Sequence, residues 1–236
     1  MKKKKTVWML LLLLVILPLT LVLGSRMSGR WYYMTSTLMI LETVAAFFLI
    51  FERRQPQARE LVVLAVLCAI AAASRAAFIM VDFFKPMSAV IMISGIAFGP
   101  ISGFLVGAVS VFASNFIFGQ GPWTPWQMFA YGFAGFLAGG LSQMGLLKKN
   151  KLKLALFGFL AIVLVIGPLL DTSSLLTMSA TINRAVAGAT YLAGLPVNLV
   201  HGACTFLTLY FFANPMFEKL DRVKEKYGML EDDNGV

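Results

Sequence analysis

Charge, cysteine and histidine are all scarce in this chain of 236 residues, and each shortage removes a class of function. Asp, Glu, Lys and Arg make up only 13% of it, against 59% hydrophobic side chains. A soluble domain carries about 25% charged and about 45–50% apolar residues, so a water-soluble globule is excluded. A single histidine, His201, rules out a multi-histidine metal or haem site. The two cysteines, Cys68 and Cys204, stand far apart inside apolar runs and read as packing residues, not as a disulfide framework or a metal knuckle. No Walker-type phosphate loop, no H-E-x-x-H and no G-x-S-x-G occurs, so the chain carries no evident ATPase, zinc protease or hydrolase machinery. Energy for any transport must come from an ion gradient or another subunit.

What the chain has is long apolar runs. Val7 to Leu23 follows Lys2 to Lys5 and exceeds the usual signal-peptide core, and Gly24-Ser25-Arg26 is a poor cleavage site, so a retained first helix is favoured. Trp31 to Phe51 opens on an interfacial aromatic cluster and contains Glu42, a carboxylate that must face protein rather than lipid. Beyond the polar break at residues 52–57 come Leu61 to Val81, a short segment from Met87 to Phe98, Ile101 to Phe118, Phe129 to Leu147, Leu152 to Leu170, and Leu195 to Ala213. Each span needs roughly 20 residues, which the segment from Met87 does not reach. Gly99-Pro100 marks a tight break. No alternating ten-residue pattern suggests a barrel, so the predicted fold is an all-α integral membrane bundle: six core helices preceded by two extra N-terminal transmembrane helices. The predicted divisions are a hairpin at 1–54, a substrate-binding core at 55–217 and a charged cytoplasmic tail at 218–236.

Basic residues outnumber acidic ones by 20 to 11, a formal +9. In a soluble protein that excess would suggest nucleic acid; here it is sided. Fifteen of the twenty lie in four clusters: Lys2 to Lys5; Arg53, Arg54 and Arg59; Lys148, Lys149, Lys151 and Lys153; and Lys219, Arg222, Lys224 and Lys226. The positive-inside rule places all four, and both termini, in the cytoplasm. No nucleic-acid partner is expected.

Polar residues that cannot easily face lipid gather toward the opposite ends of the spans. Arg75 and Asp82, seven residues apart, share a face of any helix that runs that far, either as a structural ion pair or facing a ligand. Asn115 precedes Gly119-Gln120-Gly121-Pro122-Trp123-Thr124-Pro125-Trp126-Gln127, read as a loop. Its tryptophans either anchor at the interface or wall a ring-containing ligand that Asn115 and Gln127 orient. Asn198, His201 and Thr205 form one helical stripe after Gly194-Leu195-Pro196, where His201 is either a satisfied core residue or a ligand contact. Ala65, Ala69 and Ala73 form a small-residue stripe for close helix approach, either within the chain or against another membrane subunit.

From about Arg59 to Phe217 the sequence resembles the substrate-binding S component of energy-coupling factor (ECF) vitamin transporters. The resemblance rests on the alanine ladder (Ala65, Ala69, Ala73), the short helix ending in Gly99-Pro100, the glycine-spaced helix with Gly103 and Gly107, and the final Gly-Leu-Pro helix with Asn198 and His201. It implies a binding subunit in a prokaryotic cytoplasmic membrane that is not an enzyme. It carries no covalent cofactor, and ATP is used only by two cytoplasmic ATPase partners. The ladder would meet a shared transmembrane coupling protein, and outer loops at Phe83 to Pro86, Gly119 to Trp126 and Asp171 to Gly194 would close over the ligand. Gly-Pro-Trp-Thr-Pro-Trp-Gln followed by Met128-Phe129-Ala130-Tyr131-Gly132 looks most like cobalamin-type members. The expected ligand-binding set is Arg75, Asp82, Asn115, Trp123, Trp126, Gln127, Tyr131, Asn198 and His201. The competing reading is a self-sufficient ion-coupled secondary transporter with Glu42, Arg75 and Asp82 as relay.

Overall fold

The computed structural model describes residues 11–25, 34–35, 37–39, 41–42, 45, 58–179 and 183–227, and among the described residues there are helices and turns but no strand. A widened turn at Leu12–Ile16 leads into helix α1 (Leu17–Ser25). Leu17 and Leu21 are buried while Leu19 and Leu23 are exposed, so one side of α1 meets protein and the other lipid. The hydroxyl of Thr20 donates to Glu42 Oε1 at 2.7 Å, which turns that carboxylate inward. The rest of the second predicted span, Trp31 to Phe51, lies largely outside the described residues.

The core comprises α2 (Ala58–Ala77), α3 (Met87–Phe98), α4 (Pro100–Phe118), α5 (Trp123–Gln143), α6 (Lys151–Ala161) continuing through a widened turn at Ile162–Ile166 into α7 (Gly167–Met178), and α8 (Arg184–Lys226). Among the described residues four rods are long and apolar enough to cross a membrane: Ala58–Ala77, Pro100–Phe118, Lys151–Met178 and Arg184–Lys226. α3 is apolar but short because Gly99 adopts φ 93° and Pro100 starts α4 at a position where its missing N–H costs nothing.

Glycine holds α3, α4 and α5 together. A Cβ on Gly103 would stand 2.6 Å from the carbonyl oxygen of Gly135, one on Gly107 2.5 Å from that of Tyr131, and one on Gly139 2.6 Å from that of Gly95. Backbones therefore touch, and van der Waals packing at close approach replaces the hydrophobic drive that lipid cannot supply.

Three predicted boundaries move. α2 ends at Ala77, not Val81, so Asp82 lies exposed in the following turn and shares no helical face with Arg75. α5 starts at Trp123, not Phe129: Pro125 falls in its first turn, where proline is tolerated, and Thr124, Pro125 and Trp126 are buried, so the predicted loop from Gly119 to Trp126 is helical over its last residues. The predicted loop from Asp171 to Gly194 is mostly helix as well. Its first part completes α7, and α8 begins at Arg184, capped by the Asn183 side chain accepting the Val186 N–H at 2.9 Å. Pro196 and Pro215 sit inside α8. Each removes a backbone donor, a loss that packed membrane helices accommodate. At 1.5 Å per residue α8 is about 65 Å long, twice the hydrocarbon thickness, and it runs on through the predicted tail boundary at 217.

Three basic clusters share one end. Lys149 pairs with Asp221 at 3.0 Å, Arg59 lies 5.8 Å from the Tyr227 ring, and Lys224 donates to the Ala97 carbonyl at the end of α3 and lies 4.7 Å from the Phe98 ring. The site below occupies the other end.

Candidate functional site

Arg75 is in the last turn of α2, where a cation meets the negative end of the helix. Its Nη1 donates to Ser114 Oγ at 2.6 Å and to Asn115 Oδ1 at 2.7 Å, both on the last turns of α4, and its guanidinium lies 4.3 Å from the Phe118 ring. Asn115 is fully buried and links three helices. While its oxygen accepts from Arg75, its nitrogen donates to Thr124 Oγ1 at 3.1 Å and Gln127 Oε1 at 2.9 Å on α5. Thr124 in turn donates to Gln120 Oε1 at 2.9 Å and accepts the Gly121 N–H at 3.1 Å. A polar network this complete is affordable in an apolar bundle only because each buried group is paired.

Beside it, Ser88 on the first turn of α3 and His201 on α8 share a 2.7 Å hydrogen bond, and the Tyr131 ring lies 5.8 Å from that of His201. Tyr131 is within electrostatic reach of Arg75, and His201 of both Arg75 and Lys85. One turn before His201, Asn198 donates to Asp171 Oδ2 at 2.9 Å. Glycines make room for that clasp: a Cβ on Gly194 would stand 2.5 Å from the Asp171 carboxyl carbon, and one on Gly167 2.5 Å from Asn198 Oδ1. Asn198, His201 and Thr205 are all buried, as the helical stripe predicts.

Arg75, Asn115, Gln127, Tyr131, Asn198 and His201 therefore come together at one end of the bundle. Asp82 does not: it is exposed in the turn after α2, and the predicted Arg75–Asp82 pair is replaced by the bonds of Arg75 to α4. Nor do the tryptophans. Trp126 is buried in the core and Trp123 is half-buried with its ring against Gly121, and among the described residues neither forms a hydrogen bond to the polar network. The Glu42, Arg75 and Asp82 relay does not assemble, since Glu42 is held by Thr20 and Arg75 by α4. Ser88, Ser114, Gln120, Thr124 and Asp171 join the site without having been named as ligand-binding from sequence; Thr124 and Gln120 fall inside the Gly119–Gln127 stretch, Asp171 opens the segment to Gly194 expected to close over the ligand, and the two serines gave no signal of their own. Among the described residues no group of three or more His, Cys, Asp or Glu is placed to hold a metal ion.

On α2, Ala65, Ala69 and Ala73 face outward together with Val62, Val66 and Ile70. This face lies on the helix whose far end carries Arg75.

The family model described as the S component of the ECF-type riboflavin transporter matches residues 56–216, more than half of the chain and every residue of the cluster. The chain belongs to that family. This S component is accordingly a membrane-embedded substrate-binding subunit of an ECF importer for a vitamin, not an enzyme, and the family works with a coupling protein and ATPase subunits. The matched region begins just before α2, so α1 and Glu42 lie outside it. No curated protein and no solved structure matches the chain.

Proposed function

We propose that this S component captures a flavin at the end of the bundle opposite the basic clusters and delivers it through a coupling protein docked on the Ala65, Ala69 and Ala73 face of α2. The observation that carries the reading is the coincidence of the riboflavin-family match with a polar cluster at that end, in which Asn115 is buried and Arg75 keeps N–H groups that no described protein atom accepts. A flavin ring presents an edge that alternates acceptor, donor and acceptor, and the Arg75 guanidinium with the Asn115 and Gln127 carboxamides supplies the complementary groups. Its ribityl hydroxyls suit the Asp171–Asn198 clasp and His201, and Tyr131 and Phe118 offer aromatic surface.

The cobalamin reading rested on the likeness of the Gly121 to Gly132 stretch to cobalamin-type members. The match to the riboflavin-type S component over residues 56–216 covers that stretch and favours the flavin as the better candidate. Absorbance of the protein purified in detergent from cells grown on rich medium tests the assignment. Flavin bands support it; a corrin spectrum would reverse it in favour of cobalamin. Uptake that persists without the coupling protein and its ATPases, and collapses with an uncoupler, would overturn the ECF mechanism itself.

A further inference from the structure

Among the described residues, Arg75 and Lys85 at the site end have no anionic partner. Besides Arg75, Lys85 in the turn between α2 and α3 lies 5.4 Å from the ring of Phe118, whose centroid is 4.3 Å from the Arg75 guanidinium carbon. Both charges thus engage one aromatic ring and stand no more than about 10 Å apart, a range over which two cations act on the same small ligand. Lys85 donates to the carbonyls of Phe78 at 2.9 Å and Val81 at 3.3 Å, which fixes the ammonium without neutralising it. Arg75 spends only Nη1 on Ser114 and Asn115, both neutral, so its remaining N–H groups have no protein acceptor among the described residues. The nearby acids are otherwise disposed: Asp82 is exposed and Asp171 accepts from Asn198, and neither forms an ion pair with Lys85 or Arg75 among the described residues. Two like charges held together in a half-buried, apolar setting repel each other at a cost that a bound anion removes.

We infer that Arg75, Lys85 and Phe118 form an anion site, and that the preferred ligand carries a phosphate: given the flavin reading, on which this inference rests, a phosphorylated flavin in preference to riboflavin. Guanidinium and ammonium donors to a phosphate make charge-assisted hydrogen bonds that a ribityl hydroxyl cannot match. A lipid headgroup phosphate has the same chemistry, and the test separates the two sources.

Flavin-fluorescence quenching on the purified full chain compares riboflavin with riboflavin 5′-phosphate. The phosphate ester should bind about tenfold or more tightly, the worth of one hydrogen bond to a charged group. Lys85→Gln should bring the ratio of the two affinities to about one, and Lys85→Arg should restore it; a ratio is insensitive to the fraction of protein folded. Equal affinities in the wild type, or a ratio unmoved by Lys85→Gln, overturn the anion site while leaving the flavin reading intact. Quenching by neither flavin removes that reading, and the inference with it. The titrations are repeated in nanodiscs of phosphatidylcholine and of phosphatidylglycerol. The same preference in both assigns the anion to the soluble ligand. A preference that disappears in phosphatidylglycerol assigns the site to the anionic headgroup and overturns the phosphorylated-flavin assignment.

Discussion

At the scale of single residues, Asn115 concentrates the most interaction in the fewest atoms. One carboxamide accepts from Arg75 and donates to Thr124 and Gln127, so truncation leaves polar partners on α2 and α5 unpaired in an apolar bundle. A buried group stranded in this way costs about 1–3 kcal/mol. Asn115→Ala should therefore lower the melting temperature in detergent by several degrees and weaken flavin binding by about tenfold or more, read in one preparation by thermal shift and fluorescence titration. Wild-type affinity in Asn115→Ala would remove the carboxamide from the ligand site and reduce it to a helix tie. Ser88 makes the complementary case. Its hydroxyl is the hydrogen-bond partner of His201 Nε2 at 2.7 Å, so Ser88→Ala should weaken binding while Ser88→Thr, which keeps the hydroxyl, restores part of it. Equal loss in both variants would mean that packing at the α3 terminus, not the hydroxyl, matters.

Among elements, the α3–α4–α5 seam and the outer face of α2 obey different rules of contact. The seam is closed: Gly103 faces helix backbone that cannot move aside, so Gly103→Ala should destabilise by about 1–3 kcal/mol, measured as a lower melting temperature. The α2 face is open, with Ala65, Ala69 and Ala73 exposed, so Ala69→Arg should abolish co-purification with the coupling protein while the detergent-solubilised chain stays monodisperse; undiminished co-purification would release the ladder from that role. These elements were legible in the sequence to different degrees. The spans of α2, α3 and α4 stand out because apolar runs of the right length have no other use, and Gly99-Pro100 fixes their division. The start of α5 and the start of α8 were not legible. Gly, Pro, Trp, Ser and Thr read locally as loop, but burial of Trp126 and Pro125 and the Asn183 cap decide for helix. The site follows the same division. Arg75, Asn115, Gln127, Asn198 and His201 are conspicuous because large polar groups are expensive in a membrane. Ser88 and Ser114 are not, since a membrane-helix serine or threonine commonly bonds the carbonyl one turn back, as Ser94, Thr205 and Ser114 itself do here, and nothing in sequence shows that Ser114 also accepts from Arg75 or that Ser88 meets His201.

For the whole molecule the decisive quantity is direction. Lys148 to Lys153, Arg59 and the basic end of α8 gather at one end, tied by Lys149–Asp221 and by Lys224 on the end of α3, while Arg75, Asn115 and His201 occupy the other. From that asymmetry and the positive-inside rule we propose an orientation: basic end in the cytoplasm, ligand site facing out. Two exposed positions report it. Met80, 92% exposed, lies in the turn beside the site, and Lys148 is exposed at the basic end. With Cys68 and Cys204 replaced by Ala, Met80→Cys should react with a membrane-impermeant maleimide on intact cells, and Lys148→Cys only after permeabilisation. The reverse pattern would put the site inside. A capture subunit must meet its vitamin before the energy of ATP is applied on the cytoplasmic side, so an inward-facing site would be incompatible with import and would leave Arg75 and its neighbours a structural cluster.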